Sequence, residues 1–473
     1  MSYDYHFIVV GAGSAGLVVA SGVAGLGGKV MLIEKEKMGG DCLNTGCVPS
    51  KSFLKIAHGV KSARDLNKYG INVEVEKVDL RNVMDYVRSS IKKIHPKDSK
   101  ERYESLGVDV EFGEATIIDA NSVRVNDKTF TSKFIVIATG SGPLIPKVEG
   151  LEEVGYRTSD TIFDLDKLPD DLLVLGAGPI GLELGQGFLN LGSNVHVVNR
   201  GEGLFRNDDE EVSQYMLDKL GAQGMEFHMN SEIKKVVKNS EGRIEVTLEG
   251  ETNKKLIVDT ILVSIGRKPD TKNLGLENVN VEMSTRGHVN VDSTMRTSVK
   301  SIYACGDITG KFGFTHMAGY EAGIVIRNSI FKMKYSADYN KVAWTTFTSP
   351  EVAHTGLTEQ MAKDKGVFGS AIIVDFDMND RYIVEDENEG FIKVVLDSGD
   401  KIIGATVAGT DSSEIIHALT VAIYKKMKIT DLNNIIVPYP MRGDVIKEVA
   451  LKKAKEKLTN FNKKIVSRFL GNI

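Results

Sequence analysis

Cysteine is scarce in this chain, a net positive charge and long apolar runs are missing, and each shortage excludes a class of protein. Only three cysteines, Cys42, Cys47 and Cys305, occur in 473 residues. A small secreted scaffold stapled by disulfides would carry many more. Two of the three sit five apart, which suits a redox pair in a reducing cytosol, so a cytoplasmic location is expected. Net charge is −5, so no basic field invites nucleic acid. No stretch approaches the ~20 apolar residues of a membrane span. The N-terminus runs straight into a strand, without the charged and apolar regions of a signal peptide. The chain is too long for one core and implies roughly two to four domains.

What is present is organised around Gly39-Gly40-Asp41-Cys42-Leu43-Asn44-Thr45-Gly46-Cys47-Val48-Pro49-Ser50-Lys51. In an undistorted helix, residues five apart have Cα atoms roughly 8–9 Å apart. A disulfide wants about 4.4–6.8 Å. Pairing of Cys42 with Cys47 therefore requires a distorted turn, which Gly46 and Pro49 favour. The alternative is two buried, inert thiols. Cys305 has no partner at a workable spacing and reads as a buried structural thiol.

The residues before this turn form a dinucleotide-binding unit. His6–Val10 is a short apolar strand that feeds Gly11-Ala12-Gly13-Ser14-Ala15-Gly16 and a small-residue helix to about Leu26. A strand from Lys29 to Ile33 then ends in Glu34, an acid placed to accept from a ribose hydroxyl. The glycines permit the tight turn and close approach of a pyrophosphate at the helix N-terminus. A second unit opens at Leu172: a strand to Leu175, Gly176-Ala177-Gly178-Pro179-Ile180-Gly181, a helix, and the strand Asn194–Val198. Two such units imply two dinucleotides, or a flavin and a nicotinamide. Where the first unit has Glu34 the second has Asn199, followed by Arg200 and then Arg206. Two guanidiniums would clamp a 2′-phosphate that an acid would repel, so NADPH is expected over NADH. The alternative is that both arginines are ordinary surface charges.

Elsewhere the pattern predicts a helix from the cysteine turn to about Leu66 and a charged helical stretch over Val78–Leu106. Strands are expected at Val108–Phe112, Ala115–Asp119, Ser122–Val125 and Phe134–Thr139, the last ending at Gly140. The strand Thr260–Ile265 ends in Gly266-Arg267-Lys268-Pro269, and Ser301–Cys305 runs into Gly306-Asp307. From Val342 the pattern changes to antiparallel strands at Thr346–Glu351, Ala371–Phe376, Phe391–Leu396 and Ile402–Val407. Helices follow at Ser413–Lys426 and from Asp444 to about Lys457. The expected fold is α/β with two Rossmann-like domains, the second inserted in the first, and a C-terminal α+β dimerisation domain. The boundaries are 1–150 and 271–342 for the first domain, 151–270 for the second and 343–473 for the third.

From Tyr5 to about Leu451 the chain resembles the flavin-dependent pyridine nucleotide–disulfide oxidoreductases, which include dihydrolipoyl dehydrogenase, glutathione reductase and mercuric reductase. The resemblance is carried by both fingerprints, the Gly-Gly-x-Cys-x4-Cys-Val-Pro-Ser-Lys turn, Ala138-Thr139-Gly140, Glu183 and Ala304-Cys305-Gly306-Asp307. It implies FAD across the first domain, with Gly11, Gly13 and Gly16 at the pyrophosphate, Glu34 at the adenosine ribose and Asp307 at the ribitol. Ser14, Ala15, Gly40, Asp41, Thr139, Gly140 and Gly266 join the cofactor-binding set. The nicotinamide cofactor would lie on the second unit at Gly176, Gly178, Pro179, Ile180, Gly181, Asn199, Arg200 and Arg206. Lys51 would pair with Glu183 beside the flavin. Cys47 would face the flavin ring and Cys42 would attack the substrate. No metal ligands are expected.

The resemblance breaks at one place. Disulfide-reducing members carry His-Pro-x-x-x-Glu near the C-terminus, supplied across the homodimer, where this chain reads Tyr439-Pro440-Met441-Arg442-Gly443-Asp444. Tyr439 holds the His position and Asp444 the Glu position; a phenol that titrates near 10 is a poor base at neutral pH. The vicinal C-terminal cysteines of mercuric reductases are missing too. The main expectation is NADPH-linked reduction of a small-molecule or carrier-protein disulfide. The alternative is reduction of a quinone, a metal ion such as mercuric ion, or a carrier protein. The tail, with Leu458, Phe461, Ile465, Val466, Phe469 and Leu470 near helical spacing and Lys463, Lys464 and Arg468 between them, could touch a membrane surface weakly, meet a partner or dock on its own subunit.

Overall fold

The computed structural model describes residues 2–456, 465–467 and 469–471. It divides into two compact units, 1–202 with 224–337 and 203–223 with 338–473.

The first unit is built on the parallel sheet expected of a dinucleotide-binding domain. The strand Tyr5–Val10 lies between Val30–Glu34 and Lys128–Ile137, with Ile8 opposite Met31 on one side and Ile135 on the other. Helices and loops cover both faces, so Phe7 to Val10 are all buried and read as a continuous apolar run rather than an alternating one. Val108–Phe112 extends the sheet beyond Val30–Glu34, and Ile302–Ala304 pairs with the end of Lys128–Ile137. A second parallel sheet runs Glu226–His228, Asn194–Val198, Asp171–Leu175, Thr260–Val263. Its glycine turn and helix Pro179–Leu191 repeat the arrangement of the first.

The helical stretch expected over Val78–Leu106 is broken. Leu80–Ile94 ends at Pro96, whose ring forbids the continuing hydrogen bond, and Ser99 caps a new helix, Lys100–Ser105. Leu80, Val83, Met84 and Val87 form the buried stripe of the longer piece.

The second unit carries a five-stranded antiparallel sheet in the order Ala343–Thr346, Glu351–Gly356, Ile402–Gly409, Phe391–Leu396, Ser370–Asp375. The strand expected over Thr346–Glu351 is instead the connection between the first two. It contains Pro350, which has no amide to give to a ladder. Helices Ser412–Tyr424 and Val445–Glu456 pack Leu419, Ile423, Val445 and Val449 into one core with the sheet. Lys393, only 2% exposed, points its ammonium at Glu211 (2.9 Å), Glu359 (2.9 Å) and Asp209 (3.4 Å). An ammonium is tolerated at that depth because carboxylates surround it.

Candidate active site

The turn that holds the two cysteines is shaped by glycine. Gly39 and Gly40 both take left-handed backbone angles, φ +89° and +57°. A Cβ at Gly40 would meet the Gly13 Cα at 2.6 Å. Gly-Gly thus lets the cysteine turn lie directly against the first nucleotide-binding turn. One helical turn follows, Gly40–Asn44, and it closes when the amides of Thr45 and Gly46 both donate to the Asp41 carbonyl. A new helix, Cys47–Asp65, begins immediately after. The distortion required by the spacing is therefore a break between two helical segments, with one cysteine on each.

Cys42 and Cys47 are both thiols here, and they share a hydrogen bond. That bond, donated by Cys42, is the largest influence on Cys47 and brings its thiol down to about 6; the Thr315 hydroxyl and the Lys51 charge act in the same direction. Cys42 is pushed up, chiefly because it is the donor and also through burial. The pair titrates as a unit, with its negative charge on Cys47 at neutral pH. The Thr315 hydroxyl lies 3.3 Å from the Cys47 sulfur, at the start of the helix Thr315–Phe331. Sequence reasoning missed Thr315. It lies eight residues past Asp307, and no spacing links it to the cysteines. Cys305 is fully buried, as expected, and burial pushes its thiol up.

Lys51 follows Cys47 by one helical turn and so shares its face. Its ammonium meets the Glu183 carboxylate at 2.7 Å. Glu183 is buried on the helix Pro179–Leu191. That helix reaches the cysteine helix because residue 187 is glycine: a Cβ there would strike the Phe53 ring at 2.3 Å. Phe53 fills the gap and packs on Phe188, ring centroids 4.9 Å apart.

The first glycine turn fits a dinucleotide. Gly11 and Gly16 are required by packing, since a Cβ at Gly16 would lie 1.8 Å from the Gly11 carbonyl oxygen and one at Gly11 2.4 Å from that of Ala138. Gly13 is different: its Cβ would meet nothing nearer than the Gly40 Cα at 3.8 Å. It caps the helix Ser14–Gly25 without a side-chain bond to the free amides of its first turn, which Ser14 and Ala15 open. Free helix amides with no side chain standing in front of them are what a pyrophosphate needs. The same holds at Gly178, which caps the second helix ahead of Pro179 and Ile180 and whose Cβ would meet nothing within 4 Å. Gly176 and Gly181 are packed tightly there against Ser264.

Glu34 stands where the ribose was expected, and both its oxygens also brace backbone, accepting from the amides of Ala12 and Glu36 at 2.8 Å. A carboxylate has about four acceptor positions, so hydroxyl recognition remains open to it. Asp307 accepts from the Ser141 hydroxyl at 2.7 Å. Arg267 ties this region together, donating to the Ser141 hydroxyl (2.9 Å) and carbonyl (2.7 Å) and lying 3.1 Å from Asp41 and 3.8 Å from Asp307. Arg267 was not singled out as a site residue, although the Gly266-Arg267-Lys268-Pro269 signal sits on it. The Thr139 hydroxyl bonds the Asp270 carbonyl, and the Asp270 amide bonds that of Gly140, fixing the turn after the central strand.

The expected 2′-phosphate contacts are less uniform. Asn199 donates to the Gly201 carbonyl, and Arg200 pairs with Glu232 at 2.9 Å in an exposed position. Arg206 is exposed and belongs to the second compact unit. In that unit Tyr439 is 75% exposed, and its hydroxyl donates to Asp380 at 2.7 Å; Asp380, not Asp444, is its hydrogen-bond partner. This bond raises the phenol further above its ordinary value. Ile465, Val466, Phe469 and Leu470 of the tail are exposed, while Leu458, Phe461, Lys463, Lys464 and Arg468 lie outside the described residues. Among the described residues no helix is long and apolar enough to cross a membrane.

Residues 5–322 match the family model for pyridine nucleotide-disulphide oxidoreductases, and residues 342–450 match that for their dimerisation domain. A mercuric reductase of Staphylococcus aureus is 34% identical over 95% of this chain and 82% of its own length. A dihydrolipoyl dehydrogenase of Bacillus subtilis is 35% identical, covering 94% of this chain and 95% of its own. The Cu(II) complex of the HOCl-induced flavoprotein disulfide reductase RclA from Escherichia coli superposes with a TM-score of 0.84 at 24% identity. That match covers 96% of this chain and all of the other, and it is a likeness of fold.

Proposed function

This chain belongs to the pyridine nucleotide-disulphide oxidoreductases, and we propose that within that family it is an NADPH-driven reductase whose electrons leave through Cys42 and Cys47 to a disulfide substrate. The supporting observation is the thiol pair itself: two sulfurs on separate helical segments, hydrogen-bonded, with the charge drawn onto Cys47 first by the Cys42 thiol and then by Thr315 and Lys51. FAD bound at Gly11, Gly13, Gly16, Glu34 and Asp307 would supply the two-electron relay between reduced nicotinamide and disulfide.

The chain's own residues do the rest. Lys51, held by Glu183, keeps a fixed positive charge one turn from Cys47. Cys42 carries the proton, so it becomes the attacking thiolate only when a base takes that proton, the neighbouring Cys47 thiolate being one such base. In the substrate step, Cys42 sulfur bonds to one substrate sulfur, the substrate disulfide breaks, and the other substrate sulfur leaves as a thiol carrying the proton that Cys42 gave up. Cys47 thiolate then closes the Cys42–Cys47 bond, and the second substrate thiol leaves with a proton from solvent. The match of residues 342–450 to a dimerisation domain supports a homodimer.

NADPH is favoured by the missing acid at Asn199 and by Arg200, whose exposed pairing with Glu232 costs little to give up. A second reading rests on Tyr439. A phenol raised by Asp380 accepts no proton near neutral pH, which favours an acceptor that needs no proton base, such as a mercuric ion or a quinone.

Anaerobic titration with NADPH should give a thiolate–flavin charge-transfer band that Cys47→Ser abolishes and Cys42→Ser retains. A band that survives in Cys47→Ser would overturn the assignment. Quinone turnover unchanged by Cys42→Ser, with no disulfide turned over, would move the reading to the second alternative.

A further inference from the structure

The second nucleotide-binding sheet carries a cluster that the redox chemistry does not use. Glu226–His228 is its edge strand and pairs in parallel with Asn194–Val198, Glu226 opposite His196 and His228 opposite Val198. Paired residues share a face, and so do residues two apart on one strand. His196, Glu226 and His228 therefore project together. The His196 Nδ1 lies 3.3 Å from the Glu226 Oε2 and 3.4 Å from the His228 Nε2. One ligand atom from each residue lies within 4.8 Å of the other two.

These are the spacings of a coordination sphere. Zinc binds nitrogen and carboxylate oxygen at about 2.0–2.2 Å, which sets neighbouring donors of a tetrahedron roughly 3.3–3.5 Å apart. Two of the three edges have that length, and the third closes by rotation of Glu226, which is 60% exposed. The inner wall is firm, with His228 4% exposed and the His196 side chain 14%, and the rings are held at 28° to each other. The exposed Glu226 side faces solvent, which gives an entry path. Two imidazoles with one carboxylate, and no thiolate, suit zinc and its borderline neighbours, whereas calcium and magnesium want oxygen throughout. Lys254, 3.8 Å from the same Glu226 oxygen, is the competing cation.

We propose that His196, Glu226 and His228 form a binding site for a divalent transition metal of the zinc class, clamping the edge strand of the second nucleotide-binding sheet. The clamp lies three residues from Asn199, whose amide bonds the His228 carbonyl.

The test is zinc binding by the full-length flavoprotein with Cys42 and Cys47 kept oxidised, measured by competition with a fluorescent chelator. One zinc per chain at micromolar affinity or tighter is expected, with only nitrogen and oxygen neighbours in the X-ray absorption spectrum. His196→Gln and Glu226→Gln should each weaken it at least tenfold, and Lys254→Met should tighten it a few-fold. Glu226→Gln lies at an exposed position and keeps the test independent of folding. No zinc uptake at 100-fold the protein concentration, sulfur neighbours, or equal affinity in wild type and both ligand variants would overturn the proposal.

Discussion

The Thr315 hydroxyl lies 3.3 Å from the Cys47 sulfur, although 268 residues separate them in the chain. Its bond favours the thiolate over the thiol, as do the Cys42 thiol and the Lys51 charge. Removing one donor to a charged group costs about 1.5–3 kcal/mol in full and less where two others remain. Thr315→Ala should therefore raise the apparent pKa of Cys47 by about one unit, read from thiolate absorbance of the reduced protein, and Thr315→Ser should restore it.

The pH behaviour of the wild type follows from the same geometry. With Cys47 lowered to about 6, the thiolate persists from alkaline pH down to that value and is lost below it. Acid titration of the reduced protein should show the thiolate signal intact at pH 8, halved near pH 6 and absent by about pH 4. A midpoint near 8.5, the ordinary thiol value, would mean that the Cys42 bond and the Lys51 charge do not act as described.

Lys51→Met leaves the buried Glu183 carboxylate without its ammonium. The partner is 39% exposed, so solvent moderates the loss and about 1 kcal/mol of stability is expected to go. The effect on chemistry should be larger, at least a tenfold fall in the rate of flavin reduction by NADPH in stopped flow. Lys51→Arg should recover part of it.

Gly187→Ala puts a methyl group into the Phe53 ring. A loss of about 1–3 kcal/mol is expected in denaturant unfolding. Adding Phe53→Leu, which vacates that space, should return more than half, a coupling that two independent sites would not display.

Arg200→Gln should raise the KM for NADPH about tenfold, a plausible worth for one lost phosphate contact, and leave that for NADH within twofold. Equal KM values for both nucleotides in the wild type would remove the 2′-phosphate role of Arg200.

The sequence made the two glycine fingerprints legible because strand, glycine turn, helix and strand recur at fixed spacing, with an acid closing only the first, at Glu34. The break between Cys42 and Cys47 was legible because helix geometry forbids the pairing that the cysteines need. Strand ends were read to within a residue or two at apolar runs such as Asn194–Val198; the strand expected from Phe134 begins six residues earlier, at the polar Lys128, and Thr346–Glu351 was misread, where Pro350 outweighed the residues around it. Thr315, Arg267 and Asp380 were illegible as partners. Their roles come from contacts across more than fifty residues, and a lone Thr, Arg or Asp has no spacing to reveal it. His196 and His228 were invisible for the same reason: they meet only when two strands fall into register.

Gly13 and Gly40 touch back to back, with no room for a side chain on Gly40. The loop that would grip the flavin's phosphates and the loop that carries the sulfurs thus share one seam. Anything that loosens the grip also slackens the sulfurs, so a polypeptide stripped of its yellow colour should surrender its thiols to alkylating reagents much faster than one that keeps it.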